Sequence, residues 1–264
     1  MNSFTDVLTE AQRIGPKKIA IAGPPNEELT EALGLAGEMG ICEPVIFDDA
    51  LSAVAATRSG ETDVLMKSSV STKDFMKAVL DKDHGLRKGR LISHVFIFEA
   101  FGRLLMVTDG GICIRPTLEE KAEIIKNIIP IAHRLGIETP KVAVLTAIEK
   151  VNPKMPETVD AAKLAEMTIP GCLVQGPLAV DNAVSPEAAE TKGIPGPVAG
   201  HADVLLVSSV EVGNIFAKGI VYFSSCPVGG VVGGTSRSVT LLSRSDTTAT
   251  KLNTLALGVL MSEP

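Results

Sequence analysis

The chain has 264 residues, 45% of them hydrophobic, with a formal net charge of −6 and a calculated isoelectric point near 5.3. That is apolar material for one large α/β unit or for two lobes of ordinary size. The acidic balance, the single Tyr, the eight Phe and the absence of Trp supply neither the basic face nor the stacking platforms of a nucleic-acid binder, so a small soluble ligand is the expected partner. No uninterrupted apolar stretch approaches the length of a membrane span, and residues 1–18 show no basic segment followed by an apolar core; no membrane association and a cytoplasmic location are therefore expected. Cys42, Cys113, Cys172 and Cys226 lie far apart with no CxxC spacing, which supports neither a zinc knuckle nor a disulfide framework, and they read as small core residues.

Taken in order, β-branched runs predict strands at 17–22, 44–47, 63–66, 94–98, 104–108, 141–145, 171–175, 203–207 and 239–242. Amphipathic stretches between them predict helices at 27–39, 72–80, 118–135, 159–167, 214–223 and 249–260. Pro116 and Thr117 signal the start of the third of these helices, with Glu119 and Glu120 in its first turn, and Gly136 ends it. Such alternation implies βαβ units and a largely parallel sheet, whose ligands bind on the loops after the strands.

The string DVLxxSSV occurs twice, at 63–70 (DVLMKSSV) and at 203–210 (DVLLVSSV). Each copy runs from an apolar strand through a serine turn into a helix with a lysine about two turns along, Lys77 and Lys218. That is the layout of an anion site: free N–H groups and the helix dipole attract phosphate, and hydroxyls and an ammonium complete the cage. Ser68, Ser69, Ser71 and Thr72 are the hydroxyl donors of the first copy, although Ser71 or Thr72 can equally cap the next helix. Asn214 and Lys218 follow the second copy, with a helix cap and a surface lysine as the alternative reading.

Other patterns exclude more than they assign. Residues 22–25 (AGPP) are not GxGxxG, nothing matches GxxxxGK[ST], and HExxH and GxSxG are absent, so no metal site is expected. The tract 227–235 (PVGGVVGGT) fits a phosphate loop and a tight structural connection equally. Polar loops at 152–158, 176–183 and 243–246 follow predicted strands; Thr158, Asn182 and Asp246 in them are also favoured helix-cap types. His94 reads as a satisfied strand histidine and His201 as a surface residue.

Together the segments DVLMKSSVSTKDFMKAVL, LISHVFIFE, RLLMVTDGGICIRPTLEEKAEII, KVAVLTAIEKVNPKMPETVDA, GPLAVDNAVSPEAAETKGI, GHADVLLVSSVEVGNIFAKGIVYF and VTLLSRSDTTATKLNTLAL resemble, in order and spacing, the phosphate acetyltransferase and phosphate butyryltransferase family, the butyryltransferase branch most closely. The resemblance implies an α/β fold of two lobes with mostly parallel sheets, like that of isocitrate and isopropylmalate dehydrogenases. Lobe one would comprise 1–87 plus 234–264 and the inserted lobe 88–233, with the active site in the cleft between them. It also implies reversible transfer of a short-chain acyl group, butyryl favoured, between coenzyme A and inorganic phosphate. The partners would be acyl-CoA and phosphate, coenzyme A would be a co-substrate with no tightly bound cofactor, and the protein would be a homo-oligomer.

By the same resemblance Ser243 would hydrogen-bond the leaving thiolate and Arg244 would hold phosphate through its planar fork. Lys77 stands where acetyltransferases carry an arginine in TxxDxxRPxL and would contact phosphate or coenzyme A. Two departures stand out. The aspartate found seven residues after the serine in acetyltransferases is Thr250 here, leaving Asp246 as base, orienter or cap. The segment between Phe47 and Asp63 is also shorter than in other members. Two alternatives stay open: action on a carrier-protein or complex-bound thioester, and a non-catalytic relative that binds coenzyme A or acyl phosphate.

Overall fold

The computed structural model describes residues 1–241 and 243–262. The chain divides into two compact units, one of Met1–Ile92 with Pro227–Pro264 and the other of Ser93–Cys226.

The first unit starts with α1 (Phe4–Ile14), which the sequence reading did not anticipate although Ser3 and Asp6 form a complete capping box there. There follow β1 (Lys17–Ala22), α2 (Glu27–Glu38), β2 (Cys42–Phe47), α3 (Ala50–Ser59), β3 (Val64–Lys67) and α4 (Thr72–Val79). Helix α3 was also unanticipated; it carries the shortened segment directly from β2 to β3, with Asp49 accepting from the Ser52 N–H as its cap.

The second unit holds β4 (Ser93–Ala100), β5 (Arg103–Thr108), α5 (Leu118–Arg134), β6 (Lys141–Leu145), α6 (Pro156–Glu166), β7 (Leu173–Leu178), α7 (Val180–Val184), α8 (Pro186–Thr191), β8 (Val204–Leu206) and α9 (Val210–Phe223). The chain then returns to the first unit as β9 (Val228–Gly233), β10 (Ser238–Thr240) and α10 (Thr248–Ser262). The last residue of the predicted strand 239–242, Leu242, lies outside the described residues.

Strands of the first unit run in the order β2-β1-β3-β10-β9, all parallel except the β10/β9 pair. Those of the second run β4-β5-β8-β6-β7, all parallel except the β4/β5 pair. Inner strands such as β3 and β8 are buried along their whole length, as parallel strands covered on both faces are. Strand β2 lies at the edge with Glu43, Pro44 and Ile46 exposed, and an edge is where a strand tolerates proline.

Several local expectations are corrected. The glycine tract is strand β9, wholly buried, and neither a phosphate loop nor a bare connection. At Gly229 a Cβ would come within 2.7 Å of Leu257 Cδ1 and 3.2 Å of Phe4 Cε1, so the glycine permits close packing against α10 and α1. Helix α6 starts at Pro156; Thr158 therefore lies inside it, buried, and binds the Asn152 N–H at 2.8 Å instead of capping. Helix α9 starts four residues before Asn214, and Asn182 lies within α7, so neither is a cap. Cys42 and Cys113 are buried, but Cys172 and Cys226 are only half so. Among the described residues no helix is long and apolar enough to cross a membrane.

Candidate active site

Strand β3 places an ammonium where an apolar side chain is expected. Val64, Leu65 and Met66 are fully buried, and Lys67 continues the run at 4% exposure. Its Nζ donates to the Ser68 carbonyl at 3.1 Å, its only hydrogen bond among the described residues. Burying a charge with one neutral acceptor costs stability, so this position is held for its charge and not for packing. Burial pushes the Lys67 ammonium below the ordinary lysine range, the Arg244 guanidinium pushes the same way, and the Asp246 carboxylate opposes both.

The serine turn after Lys67 is pinned to the end of β1. The Ser68 N–H donates to the Ala22 carbonyl at 3.0 Å and its hydroxyl to the Pro24 carbonyl at 2.9 Å. Gly23 has a φ of +88°, and a Cβ there would lie 2.5 Å from Ser69 Oγ and 3.0 Å from Val70 N, so only glycine allows the two loops to approach so closely. Three residues after Gly23, Asn26 caps α2. Its Oδ1 accepts from the Leu29 N–H at 3.2 Å and also from Lys251 Nζ at 3.2 Å, while its Nδ2 donates to Glu28 and, at 3.4 Å, to the Arg244 carbonyl.

The third wall comes from the loop before α10 and from that helix. A Cβ on Gly258 would meet Val64 Cγ1 at 2.9 Å, so this glycine lets α10 lie directly on β3. One face of α10 then carries Lys251, 3% exposed, against Asn26 and, at 3.4 Å, Glu28. In the loop, the Ser243 N–H donates to Asp246 Oδ2 at 2.9 Å, and Ser243 Oγ lies 3.0 Å from Ser245 Oγ. Asp246 therefore braces the turn that presents Ser243 and Arg244. The first turn of α10 is served instead by Thr247, whose hydroxyl accepts from the Thr250 N–H at 3.3 Å.

Asn26, Leu29, Lys67, Ser68, Ser69, Ser243, Arg244 and Lys251 line one cavity of about 110 Å³. Three cations from three elements converge on it, with hydroxyls between them, an arrangement suited to a polyvalent oxyanion. Among the described residues no three His, Cys, Asp or Glu side chains stand together as a metal-binding group.

Of the residues anticipated from sequence, Ser68, Ser69, Ser243 and Arg244 line this cavity and Asp246 supports it. Ser71 is the α4 cap, accepting from the Asp74 N–H at 3.0 Å and donating to its carboxylate at 2.6 Å. Thr72 and Lys77 lie on α4, both exposed and neither lining the cavity. In the second unit, Asn214 Nδ2 donates to the Gly110 carbonyl at 3.2 Å and the Lys218 ammonium lies 5.9 Å from the Tyr222 ring centre. Sequence reasoning missed Asn26, Lys67 and Lys251. A signal for Lys67 was available, since the second DVLxxSSV copy has Val207 at the same place, whereas Asn26 and Lys251 meet only through the fold.

Comparison with known proteins agrees with this chemistry. A family profile described as phosphate acetyl/butaryl transferase matches residues 4–259. A phosphate butyryltransferase of Clostridium acetobutylicum is 38% identical over 297 aligned positions, covering 99% of both chains. A phosphate acetyltransferase of Thermotoga maritima is also 38% identical, over 98% of this chain and all of its own. Among solved structures, a branched-chain phosphotransacylase of Enterococcus faecalis superposes with a TM-score of 0.85 and 30% identity, over 93% of this chain and 99% of its own. Matched along nearly its whole length by sequence and by fold, the chain belongs to the phosphate acetyl/butyryl transferase family.

Proposed function

We propose that the protein transfers a short-chain acyl group, butyryl favoured, reversibly between coenzyme A and inorganic phosphate, giving acyl phosphate and free coenzyme A. The observation that carries this reading is the small cavity lined together by Arg244, Lys67 and Lys251 and by Ser68, Ser69 and Ser243. Attack of phosphate on a thioester needs neither metal nor protein nucleophile if the partners are aligned and charge on the oxyanion is met by positioned donors. Arg244 grips phosphate, Ser243 hydrogen-bonds the thiolate as it leaves, and Asp246 fixes the turn that carries both. Lys77, Ser71, Thr72, Asn214 and Lys218 are kept as coenzyme A or phosphate contacts, to be judged by affinity.

Equal identity to a butyryltransferase and an acetyltransferase leaves the acyl chain to be settled by assay. The reading includes a cytoplasmic homo-oligomer without a tightly bound cofactor. A homo-oligomer is supported by α9, where Val212, Ile215, Tyr222 and Phe223 stand exposed on a helix with one buried residue, a face that a second copy of the chain would cover.

The test is release of thiol from butyryl-CoA in the presence of phosphate. Turnover is expected, and Arg244→Ala should lower it about 100-fold or more, the scale of losing one oxyanion-binding donor. No release from acetyl-, propionyl- or butyryl-CoA would overturn the enzymatic reading; thermal stabilisation by coenzyme A in that case would identify a binding protein.

A further inference from the structure

We propose that Lys67 is the group that moves the proton in this acyl transfer, taking it from the coenzyme A thiol as sulfur attacks acyl phosphate and handing it to the departing phosphate. The inference rests on the proposed acyltransferase reading and addresses a gap in it, because the position seven residues after Ser243 is Thr250 and carries no base.

Four observations converge on Lys67. It lines, from the buried end of β3, the same cavity that Ser243 and Arg244 line. Among the described residues the one hydrogen bond of its Nζ goes to a carbonyl, which a neutral amine satisfies as well as an ammonium does, so the contact survives both protonation states. The other two cations of the cavity are less suited to give up a proton. A guanidinium such as that of Arg244 is a fork for gripping oxyanions and not a proton carrier, and Lys251 is tied to Asn26 and to the Glu28 carboxylate. Those two can meet the charge of a bound phosphate while Lys67 cycles. Finally, the charged groups facing it are Arg244 and Asp246 from the loop before α10, with Lys251 on α10 lining the same cavity and Glu28 on α2 paired to Lys251. Burial and Arg244 favour the neutral amine, and Asp246 opposes them.

The step balances without another reactant. Sulfur forms its bond to the acyl carbon while Nζ takes the thiol proton, and the carbon–oxygen bond to phosphate breaks. The resulting ammonium then returns the proton to the phosphate oxygen, releasing hydrogen phosphate and the thioester. In reverse, Nζ takes the proton of hydrogen phosphate and delivers it to the thiolate.

Lys67→Arg separates proton transfer from charge, because an arginine keeps the cation and does not titrate. With butyryl phosphate and coenzyme A, the wild type should turn over. Lys67→Arg should lose about 100-fold in kcat, a typical general-base effect, with the KM for butyryl phosphate nearly unchanged. The deficit should shrink as pH approaches 9, where the thiol ionises without help. Lys67→Met should lose kcat and also raise that KM, while thermal melting confirms that it is folded. A Lys67→Arg enzyme as fast as wild type, or a deficit constant across pH, would overturn the proton role while leaving the acyltransferase reading intact. An inactive wild type would overturn both.

Discussion

The two DVLxxSSV copies begin alike and end differently. In each, the aspartate exchanges two backbone-anchored bonds with a lysine at or next to the start of a neighbouring strand. Asp63 accepts from the Lys18 N–H at 2.9 Å and donates its own N–H to the Lys18 carbonyl at 2.8 Å; Asp203 does the same with Lys141, at 2.9 and 2.9 Å. Each valine-leucine pair that follows is buried. Then the copies part: the fifth position is Lys67 in one and Val207 in the other, 4% and 2% exposed. The same backbone niche holds a hydrocarbon in the second unit and an ammonium in the first. Valine shows what the niche accepts on structural grounds, so the ammonium marks where the molecule gives up stability for chemistry.

The strongest way to probe that contrast is to reverse it. Val207→Lys puts an ammonium where a buried hydrocarbon stands, and should destabilise the protein by about 3 kcal/mol or more, read from the urea midpoint. A loss under about 1 kcal/mol would mean that the two niches are not equivalent. Next in size, Asp63→Ala and Asp203→Ala should each cost about 1–2 kcal/mol by orphaning a strand N–H, and should cost similar amounts if the shared anchor has the same worth in both units. In the other direction, Lys67→Met should raise stability by about 1 kcal/mol, lifting Tm by about 2–4 °C while activity falls. Because the folded-state value of Lys67 lies below that of an unfolded lysine, the unfolded chain holds more protons between the two values. Wild-type stability should therefore gain a contribution as pH rises through that window, and Lys67→Met should lack it. The smallest contrast concerns the turns: Ser71→Ala removes a helix cap and should cost about 1 kcal/mol. Ser209→Ala, at a helix start with no side-chain cap bond, should cost about 0.5 kcal/mol or less.

Much of the architecture was readable because parallel strands announce themselves as apolar runs. Predicted strands at 17–22 and 141–145 match β1 and β6, and the Pro116-Thr117 signal marks the start of α5, where Thr117 and Glu120 form a capping box. The strand at 228–233 escaped because three of its six residues are glycines, and the one at 229 is there to admit Leu257 and Phe4 at close range, a tertiary cause with no local signature. Of the site, Ser243 and Arg244 were recovered by resemblance. Lys67 was hidden inside an apolar run that reads as a strand end, and Lys251 sits on a helix 225 residues from the Asn26 it touches. Asp246 had base, orienter and cap as open roles; its bond to the Ser243 N–H is of the orienting kind, set by a three-residue turn that composition does not reveal.

Asn26 has an implication for how the family can change. Its amide oxygen caps the start of α2 and holds Lys251, and its amide nitrogen reaches the Arg244 carbonyl, so one side chain belongs to the scaffold and to the cavity at once. A lineage drifting away from acyl transfer could discard Lys67 and become more stable, but discarding Asn26 would fray a helix. The wall of the cavity is therefore expected to outlast its activity, and a descendant that no longer reacts would still carry the outline of an anion site.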